Sequence, residues 1–126
     1  MTKQSKLQAR AAELFATFGE AEITAARDAL LKAAKLVRKG WCQYVCAADK
    51  NGDECDYTSR AAVKFCAVGA YQRAMRDKVP IELSRILESL DLTTTSASYW
   101  NDAKGRTAEE VAQKLEAAAN ALTKGE

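Results

Sequence analysis

Cys42, Cys46, Cys55 and Cys66 are the residues of this chain best suited to chemistry, with three, eight and ten residues between successive thiols. Four thiolates can hold a structural zinc ion, but such sites present two close pairs on tight knuckles. Here only Cys42 and Cys46 form a near pair, and the chain has no histidine to complete a mixed site. The spacing therefore predicts packed or partly exposed thiols and no metal, with Cys66, inside FCAVGA, as a small buried hydrophobe. Asp49, Asn51, Asp53 and Glu54 gather beside them. A calcium loop of the EF-hand type places its glycine sixth and a glutamate twelfth, whereas Gly52 comes fourth, as a chain reversal requires.

The lack of histidine means that Ser-His-Asp triads and Cys-His dyads cannot be built from this chain alone. Asp102, preceded by Trp100 and Asn101, is the carboxylate to consider, yet Asn-Asp ahead of a helix is the usual composition of a turn or cap. No glycine-rich phosphate loop is present. The inventory leans away from an enzyme and predicts no cofactor. Lys32, Lys35, Arg38 and Lys39 on one helix, and Arg73, Arg76 and Lys78 at the end of another, would meet phosphates if the fold made them neighbours. With a pI of 8.3, no DNA-binding motif and no interleaved aromatics, nucleic acid ranks below other partners.

The elements that must position these residues are mostly helical. A length of 126 residues, 48% hydrophobic and 29% charged, suits one globular domain over 1–126 that folds without a staple. No apolar run approaches a membrane span, and MTKQSKLQARAAELF has no signal-peptide core, so the expected compartment is the cytoplasm and no membrane contact is expected. Apolar spacings of three and four predict helices over about 4–18, from Thr24 as N-cap to Gly40, over 59–76 capped by Thr58 or Ser59, from Pro80, and from Thr107. The helix over 59–76, apolar nearly all round, is expected to be the central one. Its Gly69 predicts a close approach by a neighbouring segment. Between the second and third helices the period changes, and DKNG predicts a small β-hairpin within 41–58. A turn at Asp49–Gly52 with Gly52 left-handed sets Asp49 against Asp53 and Ala47 against Cys55. Cys46 and Cys55 then point to opposite faces and form no disulfide. The fold class is mainly α, a single bundle of about five helices with a hairpin insertion. Residues 1–40 hold eight basic and four acidic residues, and residues 81–126 five basic and eight acidic, so the two segments attract.

GWCQ, AADKNGDE, AAVKFCAVGAYQRA and YWNDAKGRTAEEV together resemble a small family of unknown function found in bacteria and their phages. Its pattern combines a W-x-Q turn, an A-x-D-x-x-G loop, an F-C-x-x-G-A helix and a late N-D before the last helix, and the resemblance covers roughly residues 25–120. Cys46 and Cys55 lie outside the pattern, and GRTAEEV stands where many relatives carry a histidine, so neither a shared zinc site nor a histidine-based site is implied. The resemblance points to Trp41, Gln43, Asn101 and Asp102 as the ligand- or partner-binding neighbourhood. The function expected is that of a small cytoplasmic binding protein, a phage or mobile-element accessory factor that modulates a host protein. The alternatives are a small-molecule or nucleotide-binding module and a nucleic-acid-associated regulator.

Overall fold

The computed structural model describes residues 3–76 and 78–123. Among them are six α-helices and one two-stranded antiparallel sheet, so the chain is mainly helical with a small hairpin. No helix among the described residues is long and apolar enough to cross a membrane.

α1 (Lys3–Phe18) and α2 (Glu20–Lys39) are separated by one residue, Gly19, at φ 83°. Its amide donates to Phe15 O and its carbonyl accepts from Ile23 N, so this glycine closes one helix and opens the next. Thr24, the expected N-cap, therefore lies inside α2, because a left-handed glycine needs no polar side chain to start the new helix. α2 buries Ile23, Ala26, Ala29, Leu30, Ala33, Ala34 and Val37. Its alanines let α3 (Ala67–Met75) and α6 (Ala108–Ala121) both approach closely, and α2 makes the most extensive contacts in the molecule with these two. The centre of the bundle is thus α2, not the helix over 59–76 that apolarity suggested.

The DKNG turn forms as its sequence predicts. Gly52 has φ 85°, its amide donates to Asp49 O at 3.0 Å, and Asp49 N donates to Asp53 O at 2.9 Å. Cys55 N donates to Ala47 O, giving the expected register, and Asp49 Oδ1 accepts from Asn51 N and Asp53 N. The regular ladder lies elsewhere: β1 (Ala47–Ala48) pairs with β2 (Lys64–Phe65), Ala47 opposite Phe65. Residues 59–66 are accordingly turn and strand rather than helix. Phe65 also donates to Gly40 O and accepts from Cys42 N, so β2 is gripped from two sides. Competition from these bonds delays α3 until Cys66, whose thiol caps the helix by accepting from Gly69 N at 3.3 Å, in place of the expected Thr58 or Ser59.

α4 (Leu83–Ser89) starts three residues after Pro80, which stands in the preceding turn instead of opening the helix. That turn is fixed by Tyr71, whose buried hydroxyl donates to Ile81 O at 2.8 Å. Leu83, Ile86, Leu87 and Leu90 are buried as their spacing predicts. α5 (Ala97–Asn101) is one short turn capped by Ser96. α6 opens with the Thr107–Glu110 capping box and buries Val111, Ala112, Leu115, Ala118 and Ala119, with Leu122 just beyond its end.

The attraction between the basic first segment and the acidic last one has a definite form. Arg38 meets Glu109 through two bonds of 3.0 and 2.7 Å and Glu116 through two of 2.6 and 2.9 Å. Hydrogen bonding to Arg38 holds both carboxyls below the usual range. Carboxyls depressed in the folded state add stability above their unfolded titration, near pH 4.3 for glutamate, and lose it as pH falls through their folded values. Arg38→Gln is therefore expected to lower the melting temperature most at neutral pH, with the two curves converging in acid. A wild-type-to-variant difference that does not change with pH would remove this assignment.

Candidate functional site

The loop after α2 and the short helix α5 meet at the N-terminus of α3, and the junction is built on Asn101. Its side chain is completely buried. Oδ1 accepts from Trp41 Nε1 at 2.8 Å and from Ala67 N at 3.0 Å, while Nδ2 donates to Cys42 O at 3.2 Å and Asp102 Oδ1 at 2.9 Å. Gln43 Nε2 donates to Asn101 O and Ala103 O, both at 3.1 Å. Asp102 Oδ1 also accepts from Tyr44 N at 2.9 Å. The fold thus brings Trp41, Gln43, Asn101 and Asp102 together, and their hydrogen bonds run among themselves and to nearby backbone. Among the described residues no buried side-chain polar atom lacks a partner. Chemically this is a clamp: two amides and a carboxylate tie two loops to a helix start.

What the clamp holds outward is Tyr44. Its φ is 74°, a left-handed backbone that costs a bulky residue on the order of 1–2 kcal/mol. Its side of the loop is fixed by the Asp102 bond, yet the residue is 76% exposed. Tyr99, 72% exposed, rises from α5 three residues before the same Asp102. Beside it Trp100 is half-buried under the Arg106 guanidinium, 4.0 Å from the ring centre. Sequence reasoning missed both tyrosines. Tyr99 sits openly in the YWND string, but no local signal marks Tyr44, since its exposure depends on a backbone twist set by a distant carboxylate.

All four cysteines are free thiols; Cys46 is exposed and Cys66 buried. Burial pushes Cys42 up to about 11 and Cys66 up to about 12. Cys55 is also raised, first by desolvation and then by the carboxylates of Asp49 and Asp56. All three shifts disfavour the thiolate, the form in which a cysteine acts as nucleophile or metal ligand. Among the described residues no group of three or more cysteine, aspartate or glutamate side chains is placed to hold a metal ion.

The basic residues separate. Lys32, Lys35, Arg73 and Arg76 line one groove of about 310 Å³ between α2 and α3. Arg38 faces α6 instead, and Lys78 lines a different, more apolar groove with Ala21, Ala25 and Met75.

The sequence pattern of a family described as a family of unknown function (DUF6197) matches residues 21–121, from the first turn of α2 to the end of α6. No curated protein and no solved structure matches the chain.

Proposed function

Because the chain belongs to the DUF6197 family, whose description attaches no activity to it, we propose from the geometry that it works by binding a partner protein through the surface around Tyr44 and Tyr99. One observation carries this: a tyrosine is kept in a strained backbone, tied by Asp102, with its ring left to solvent. Strain of this kind persists only where the surroundings over-determine it, and it gathers at functional positions. Tyrosine is also a residue on which binding energy concentrates at protein interfaces. In this reading Trp41, Gln43, Asn101 and Asp102 are the support that aims the surface rather than the groups that touch the partner.

The proposal extends to a cytoplasmic setting, which suits four free thiols. It extends also to an accessory role in a phage or mobile element, modulating a host protein. That part rests on analogy with other small modulators that do without histidine chemistry.

Tyr44→Gly tests the central claim. Glycine relieves the left-handed strain, so stability is expected to rise by about 1 kcal/mol or hold steady. Combined with Tyr99→Ser, it should abolish capture of whichever protein the wild type recovers from a native-host extract. Retention of that protein by the double variant, or no capture by the wild type, would overturn the proposal.

A further inference from the structure

Lys32 and Lys35 lie three residues apart on one face of α2, while Arg73 in the last turn of α3 and Arg76 just past its end, at φ 62°, line the same groove. Packing of α2 on α3 forms this groove of about 310 Å³, floored by Leu36 and Ala74. Of the six described residues that line it, four are cationic and none is acidic. Among the described residues, none of the four makes an ion pair. The contrast within α2 is informative: Arg38, which faces α6, is met by two carboxylates, whereas the lysines that face α3 are met by none among the described residues. Arg73 and Arg76 offset the partial negative charge at the end of α3, but Lys32 and Lys35 sit in mid-helix, where there is none to offset.

Arg73 is also preset. Its Nη1 donates to Tyr57 O and Ser59 O, both at 2.8 Å, and its guanidinium lies 5.6 Å from the Phe65 ring centre. One edge of the fork is thereby anchored while the residue remains on the groove wall. Uncompensated like charges repel, so such a cluster is at its most stable with an anion between them. Planar forks beside point-charge ammonium groups suit the several oxygens and double charge of a phosphate group.

We infer that the groove between α2 and α3 is an oxyanion site for the phosphate of a phosphorylated ligand, a role separate from the tyrosine surface. A small phosphate compound and a nucleic-acid backbone present the same chemistry, and two probes distinguish them. Pyrophosphate binding is measured by calorimetry, and that of a short single-stranded oligonucleotide by fluorescence anisotropy, both at low salt. Binding of either probe is expected. The Lys32→Gln, Lys35→Gln double variant, with both residues exposed and its fold checked by circular dichroism, should weaken it roughly tenfold, since two phosphate contacts are lost. Lys104→Gln, remote in sequence on the loop before α6, should leave it unchanged.

With three exposed cations in the groove, oligonucleotide affinity should fall by about 15-fold between roughly 50 and 200 mM salt. Affinity that rises with oligonucleotide length assigns the site to a backbone. Full displacement of the oligonucleotide by pyrophosphate, with no length dependence, assigns it to a small ligand. No binding of either probe at low salt, or equal weakening by the lysine pair and by Lys104→Gln, would overturn the site.

Discussion

Replacing Asn101 with alanine is expected to cost about 3–5 kcal/mol, read from the midpoint of a urea melt. The buried amide holds four partners: the Trp41 indole, the Ala67 amide, the Cys42 carbonyl and the Asp102 carboxylate. Alanine leaves two donors without acceptor at a fully buried position, and each such orphan costs roughly 1–3 kcal/mol. A cavity adds to this. Domains of this size are stable by only about 5–15 kcal/mol, so the variant should sit close to unfolding at moderate temperature. Asn101→Asp should be no better, because its second oxygen would face the Cys42 carbonyl and the Asp102 carboxylate where an amide now donates. Trp41→Phe, which keeps the ring and loses one bond, should cost about 1 kcal/mol. A loss below 1 kcal/mol for Asn101→Ala would show that the clamp is incidental to the fold.

Gly69→Ala should be nearly as damaging, although alanine is the better helix former by about 1 kcal/mol. A Cβ at Gly69 would run into the carbonyl oxygen of Cys46, with the Cys46 carbonyl carbon 2.8 Å away. Both obstacles are backbone, and that carbonyl also accepts from Cys66 N, so the loop cannot swing aside without losing a bond. Overpacking of this kind costs about 1–3 kcal/mol and sometimes more, and a melting temperature lower by about 10 °C is expected. Gly105→Ala, in open space at φ 83°, supplies the comparison: it pays only for a left-handed backbone, about 1–2 kcal/mol. Should Gly69→Ala melt at or above the wild type, α3 would not rest against the loop as described.

How much of this the chain discloses in advance depends on how local the cause is. The Thr107–Glu110 box and the Asp49–Gly52 turn are each written in four consecutive residues, and both appear where those residues place them. The stripes of α4 and α6 are local too. Lys64 and Phe65, by contrast, lie in AAVKFCAVGAY, which reads as helix. They become strand because Gly40, Cys42 and the backbone around Ala47 offer them hydrogen bonds from far along the chain. The gathering of Trp41, Gln43, Asn101 and Asp102 is legible as motifs. That their polar groups turn inward on one another, leaving Tyr44 as the outward residue, is a tertiary fact with no local trace.

The pairing of α2 with α6 has a consequence for the chain as it is made. The two helices pack together more extensively than any others, yet α6 begins about 70 residues after α2 ends. At roughly 5–20 residues per second, α2 waits on the order of 4–14 s for the helix that covers it. During that wait α3 can shield one flank, while the other stays open inside a crowded, adhesive environment. Four of the seven side chains that α2 finally buries are alanines. A small-residue flank offers little apolar area to a stray partner, so the packing that lets two helices close on α2 also keeps the half-synthesised chain less prone to stick.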